Sequence, residues 1–208
     1  MHHHPGVRRV HRMSAAFLGA FVLLHFTNHL VALRGIDAHQ AFLTAARTVY
    51  RALFVEPLLL AAVLVQGATG VIQLQAGWGM RRGFWSRLQA ISGGYLLFFL
   101  SVHTLAILGV RWLGLDSNFY AAAMVLTIPP LPLFYAPYYA LGVSALFAHA
   151  ACALHFAGLR QGTNLDRVCA GLLIAGVGLA LPIVAAFSGA FYDVDLPQAY
   201  RDAVARFL

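Results

Sequence analysis

Leu88-Gln89-Ala90-Ile91-Ser92-Gly93-Gly94-Tyr95-Leu96-Leu97-Phe98-Phe99-Leu100-Ser101-Val102-His103-Thr104-Leu105-Ala106-Ile107-Leu108-Gly109-Val110-Arg111 decides the fold. From Leu88 to Val110 it contains no Asp, Glu, Lys or Arg. About 20 apolar residues in helical geometry cross the hydrocarbon of a bilayer, so this stretch reads as a membrane span. Four more stretches qualify. Together the five predict spans at about 14–32, 52–75, 88–113, 137–159 and 167–191 in a single transmembrane domain, 1–208. The whole composition agrees. The chain is 61% hydrophobic and 10% charged, against roughly 25% charged in soluble domains. A soluble globular enzyme, a disordered chain and a disulfide scaffold are excluded. Ser117–Ile128 is apolar but too short to cross and is closed by Pro129 and Pro130; it predicts an interfacial or re-entrant piece. Pro182 predicts a kink in the fifth span.

Charge sets the expected direction. All 14 basic residues are arginine. The amino end and the loops after the second and fourth spans hold Arg8, Arg9, Arg12, Arg81, Arg82, Arg87, Arg160 and Arg167 against one acid, Asp166. The opposite side holds Arg34, Arg47, Arg51, Arg111, Arg201 and Arg206 against Asp37, Asp116, Asp193, Asp195 and Asp202. Arginine near span ends stays cytoplasmic, so the amino end is expected inside and the carboxyl end in the periplasm, in a cell inner membrane. The net charge of +7 reads as topology and not as nucleic-acid binding. Cys152 and Cys169 stand in apolar runs without metal spacing and read as small core residues. His2, His3 and His4 are set aside as a tag remnant or native tail.

The first and third spans repeat one pattern. Ser14-Ala15-Ala16-Phe17-Leu18 matches Ser92-Gly93-Gly94-Tyr95-Leu96; the same register pairs Phe21 with Phe99 and His25 with His103. Co-directional spans with equal offsets put both imidazoles at one depth, roughly 12–14 Å from the level of Arg34 and Arg111 at 1.5 Å per residue. Two imidazoles at one level suit the axial positions of a haem iron. Ala15, Ala16, Gly19, Gly93 and Gly94 offer room for a flat ring, and Arg34, Arg47, Arg51 and Arg111 lie on the side where propionates need cations. His29, one turn beyond His25, is an alternative ligand or a propionate partner. The plain alternative for a membrane histidine is an interhelical hydrogen bond. Spans two and four repeat more weakly: Val63–Gly70 matches Leu146–Ala153, with Gln66 where His149 stands. An amide is a poor iron ligand, so Gln66 and His149 read either as half of a second haem site or as a polar interhelical contact. Glu56 is the lone acid within a span. It reads as a proton group for a quinone or as a salt-bridge partner of Arg51 or Arg47. His11-Arg12 reads as a topology anchor or a contact for a quinone or a partner subunit.

These stretches together resemble the five-helix cytochrome b membrane anchor of succinate:quinone and quinol:fumarate reductases. The carrying residues are Ser14 to His29 with Leu30 to Gly35, Tyr50-Arg51-Ala52-Leu53 through Glu56 to Gln66, Leu88 to His103, and Tyr139-Ala140-Leu141-Gly142 to His149. The resemblance covers roughly residues 11–160. It implies an all-α integral membrane protein with a four-helix haem-binding core and a fifth peripheral helix. It also implies a subunit that anchors a flavoprotein and an iron–sulfur protein and passes electrons between them and a quinone. By position His25 and His103 would hold one haem b, while Gln66 departs from the family pattern at the second. The chain by itself would be a non-catalytic electron-transfer subunit, its arginine-rich inner face docking acidic partners. The alternative is a haem-free anchor or assembly protein of the same fold.

Overall fold

The computed structural model describes residues 5–77, 79, 81–157, 163–206 and 208. His2, His3, His4, Arg160 and the end of the fourth expected span lie outside them. The described residues form eight α-helices and one 3-10 turn: α1 Pro5–Val31, the turn Ala32–Arg34, α2 Ile36–Tyr50, α3 Val55–Ala76, α4 Phe84–Trp112, α5 Phe119–Thr127, α6 Pro132–Phe156, α7 Thr163–Phe187 and α8 Gln198–Ala205. Five segments are long and apolar enough to cross a membrane: the one ending at Arg34, then α3, α4, α6 and the stretch Leu165–Phe187 of α7. These are the five expected spans, with shifted ends. The first begins at Pro5 rather than Ser14, because helix geometry continues through the arginine-rich amino end. The fourth begins at Pro132, since a proline in the first turn forfeits no helical hydrogen bond. Pro137 then lies inside it. The fifth continues through Pro182 and ends at Phe187 rather than Phe191.

Large aliphatic side chains on these spans face outward. Leu23, Leu64, Ile91, Leu105 and Ile174 are each about 70% exposed. In water such surface would be strongly unfavourable; in lipid it is the solvated face. α1 packs on α3, and α4 packs on α6, which packs in turn on α7. Closest backbone packing between the α1–α3 pair and the α4–α6–α7 group is along α3 and α4. Between α1 and the second group, side chains reach across: Phe26 meets Phe147 of α6 with ring centroids 5.6 Å apart.

The carboxyl-terminal side carries a helical cap that a span-by-span reading does not foresee. Gly35, at φ 112°, takes a backbone conformation that L side chains rarely adopt and turns the chain into α2. α2 buries His39, Leu43 and Ala46, a one-faced i, i+4, i+7 set. α5, the short piece expected at 117–128, is capped by Asn118, whose side-chain oxygen accepts from the Tyr120 N–H at 3.0 Å. It is buried against α7 and α8: Phe119 is fully buried and stacks on Phe187 at 4.6 Å. Two phenols tie the cap down. Tyr192 donates to the Ala32 carbonyl and Tyr200 to the Asp116 carbonyl, both at 2.7 Å. Cys152 and Cys169 are buried free thiols, as their apolar surroundings predict.

Phe119→Ala is expected to cost about 3–5 kcal/mol, because a fully buried ring leaves a cavity that the cap cannot collapse. Leu64→Ala on the outward face should cost far less. Denaturant unfolding of the two variants in the same detergent checks the contrast.

Candidate functional site

Polar side chains inside the bundle gather at two levels. The first lies towards the amino-terminal side. Thr69 donates to the Val65 carbonyl at 2.6 Å, which leaves its oxygen to accept from His11 Nδ1 at 2.9 Å. With its proton on Nδ1, His11 accepts at Nε2 from Gln66 Nε2, 3.1 Å away, and Gln66 Oε1 accepts from the Ser14 hydroxyl at 2.5 Å. Four side chains from α1 and α3 thus satisfy one another. Across the bundle Ser92 donates to the Leu88 carbonyl at 2.7 Å and accepts from His149 Nδ1 at 3.2 Å. Gly93 makes room for that imidazole: a Cβ there would stand 3.0 Å from His149 Cε1. Gln66 and His149 are therefore engaged separately, each with a serine. An amide is a poor iron ligand and Gln66 is bonded to His11 and Ser14 instead, so the residues at this level do not fit a second axial pair. His11 belongs to this network rather than to a mere anchor. His155 turns away and stacks on Trp85 at 4.6 Å.

The second level holds His25, His29 and His103. The repeat becomes geometry here: His25 and His103 face each other from α1 and α4, ring centroids 5.8 Å apart and ring planes crossed at 66°. Each imidazole stacks on the phenylalanine one turn earlier in its own helix, His25 on Phe21 at 5.4 Å and His103 on Phe99 at 5.3 Å. His29 Nε2 lies 3.1 Å from His25 Nε2, so one ring donates to the other. Toward the carboxyl-terminal side follow Asn28 and His39, both almost wholly buried, joined through Asn28 Nδ2 and His39 Nε2 at 2.9 Å. Asn28 Oδ1, His29 Nδ1 and His39 Nδ1 are buried without a partner among the described residues. Sequence reasoning missed His39 and Asn28. His39 sits on an amphipathic helix outside the spans, and only the fold of α2 onto α1 brings it to the site.

Among the described residues no group of three or more His, Cys, Asp or Glu is arranged to hold a bare metal ion. A haem needs only two axial ligands from the protein. Imidazoles bonded from opposite faces at about 2.0 Å place their centroids about 6 Å apart, close to the observed separation. Cβ atoms at Gly19 and Gly94 would meet nothing within 4 Å, so these positions leave space. Ala15 and Ala16 do not, for they are exposed on the outer surface of α1. Ligation by His25 Nε2 would break its bond with His29, at about 1 kcal/mol. The pair fits the group.

The arginines expected near propionates have other partners. Arg47 pairs with Asp116 at 2.7 Å, Arg51 donates to Ser117 Oγ at 2.8 Å, and Arg111 pairs with Glu56. Arg34 is exposed at the end of the 3-10 turn. Glu56 thus takes the salt-bridge role, but with Arg111 rather than Arg47 or Arg51. It sits in the first turn of α3, beside the last turn of α4, whereas Arg47 turns toward the α4–α5 link.

No family model, curated protein or solved structure matches this chain. The functional reading therefore stands on the geometry of the two levels.

His39 lies outside the spans, and burial pushes its imidazole down to about 4, with the nearby Arg47 charge adding to the effect. Between that value and the ordinary 6.5 the unfolded chain takes up a proton that the folded chain refuses. Stability is then full above about pH 6.5 and falls as the pH is lowered towards 4, by about 1.4 kcal/mol per unit. His39→Gln is expected to reduce the slope by the share of this one group. Unfolding midpoints measured from pH 7 to pH 4 in detergent check it.

Proposed function

We propose that the chain is a b-type cytochrome subunit of the membrane, with His25 and His103 as the axial ligands of a single haem b. The observation that carries this reading is the pair of facing imidazoles, 5.8 Å apart, drawn from matching positions of two repeated spans. Haem iron bound there would accept and release single electrons in the hydrocarbon. The residues supply the rest. Phe21 and Phe99 back the two rings. His29 and His39 each present an unpartnered Nδ1 on the carboxyl-terminal side, which suits the carboxylates that a haem carries at one edge.

The same reading places the subunit in an inner membrane with its amino end in the cytoplasm. The electron partners are a quinone and a soluble flavoprotein and iron–sulfur pair resembling those of succinate and fumarate reductases. Arg81, Arg82, Arg87 and Arg167 on the amino-terminal side would attract acidic surfaces of such partners. Glu56 is paired with Arg111, so a role toward a quinone would require it to leave that partner. A second haem is no part of the proposal, since Gln66 is a poor iron ligand and is bonded to His11 and Ser14.

A haem-free anchor of the same fold is the second reading. The bond between His25 Nε2 and His29 Nε2 favours it, because these rings can satisfy each other with no metal.

A reduced-minus-oxidised spectrum of protein purified from haem-replete cells separates the two. The cytochrome reading expects a b-type band at one haem per chain. The band should be lost in His25→Ala and in His103→Ala and retained in His149→Ala. Absence of any band with haem in ample supply would leave the anchor.

A further inference from the structure

The repeat that places His25 and His103 also places a phenylalanine one turn before each. The two stacks are nearly alike: Phe21 on His25 at 5.4 Å and 18°, Phe99 on His103 at 5.3 Å and 11°. A ring stacked this way fixes the torsion that turns the imidazole plane about its own axis, which ligation to iron alone leaves free. The planes held in this manner cross at 66°.

The backing is stronger on one side. Phe99 is itself stacked by Tyr138 of α6 at 4.8 Å. Tyr138 is buried; its hydroxyl donates to the Phe99 carbonyl at 2.9 Å, and its own carbonyl accepts from the Tyr95 hydroxyl at 2.9 Å. Gly142, one turn along α6, forms the notch into which the Phe99 ring fits, and a Cβ at that position would overlap the ring. Behind His25, Phe21 meets the edge of Tyr50 at 5.4 Å. The His103 side is thus a stack three rings deep seated on a glycine.

We infer that Phe99, seated in the Gly142 notch and backed by Tyr138, is a positioning residue for His103. With Phe21 behind His25, it holds the two axial imidazole planes crossed. The inference rests on the cytochrome reading above and deepens it. Ligand orientation is one of the means by which a protein sets the electronic state of a haem without changing the ligands. Crossed planes give ferric low-spin haem a single, strongly shifted low-field resonance; parallel planes give an ordinary three-line rhombic spectrum.

The test compares the full chain with Phe99→Tyr, Phe99→Leu and Gly142→Ala in the same detergent. Two readouts are taken: electron paramagnetic resonance of the oxidised protein, and nitrogen-15 relaxation of the His103 ring in the protein as isolated. The parent and Phe99→Tyr, which keeps the stack, should show the single low-field line and a rigid His103 ring. Phe99→Leu and Gly142→Ala should lose that line, gain the rhombic pattern at unchanged haem content, and show a mobile ring. A haem band with the same resonance in all four proteins overturns the plane-setting role while leaving the cytochrome reading intact. The absence of any haem band overturns the cytochrome reading, and ring relaxation then still decides whether Phe99 positions His103: equal mobility in all four proteins rejects it.

Discussion

A polar side chain in hydrocarbon has no water to fall back on, so each must find its partner within the bundle. This constraint organises the interior. Ser14, Gln66, His11 and Thr69 form one chain of hydrogen bonds that ends on the Val65 carbonyl. At the second level the accounting does not close. His29 Nδ1, His39 Nδ1 and Asn28 Oδ1 end without partners among the described residues. His103 is touched by Phe99, Tyr139 and His25 through ring contacts, with no hydrogen bond to its nitrogens among the described residues. One level is a bonded structural contact; the other leaves buried polar atoms without partners among the described residues.

The packing follows the same division. The spans pack on one another but stay mostly lipid-facing and little buried within the chain. Most of the buried core lies on the carboxyl-terminal side, where α5, α7 and α8 enclose Phe119, Phe187, Tyr200 and Val204. That cap does more than stabilise. It carries α2 onto α1, which delivers His39 to Asn28 and puts Arg47 beside Asp116. Stability and site geometry therefore come from one set of contacts at that end.

Much of this was legible in the residues. The five spans followed from apolar length, and that the stretch 117–128 is too short to cross followed from its length and closing prolines; that it forms a buried helix did not. The level of His25 and His103 followed from a repeat that needs no fold to be seen. The ends of the helices did not follow, since Pro132 and Pro137 both sit inside α6 where an apolar count stops short. The partner of Glu56 was also hidden. Arg47 and Arg51 are near it in sequence, but the salt bridge goes to Arg111, which is near only after α3 and α4 pack. His11 looked like part of a charged anchor and proves to be a hydrogen-bonding group because α1 extends unbroken from Pro5.

Local chemistry alone determined that the chain is a set of apolar helices with imidazoles at recurring depth, because hydrophobic length and helical rise act within each segment. Only tertiary packing decided which way those imidazoles face and what they touch. The crossing of His25 and His103, the self-satisfied state of Gln66 and the arrival of His39 all depend on distances between helices, which no single segment encodes.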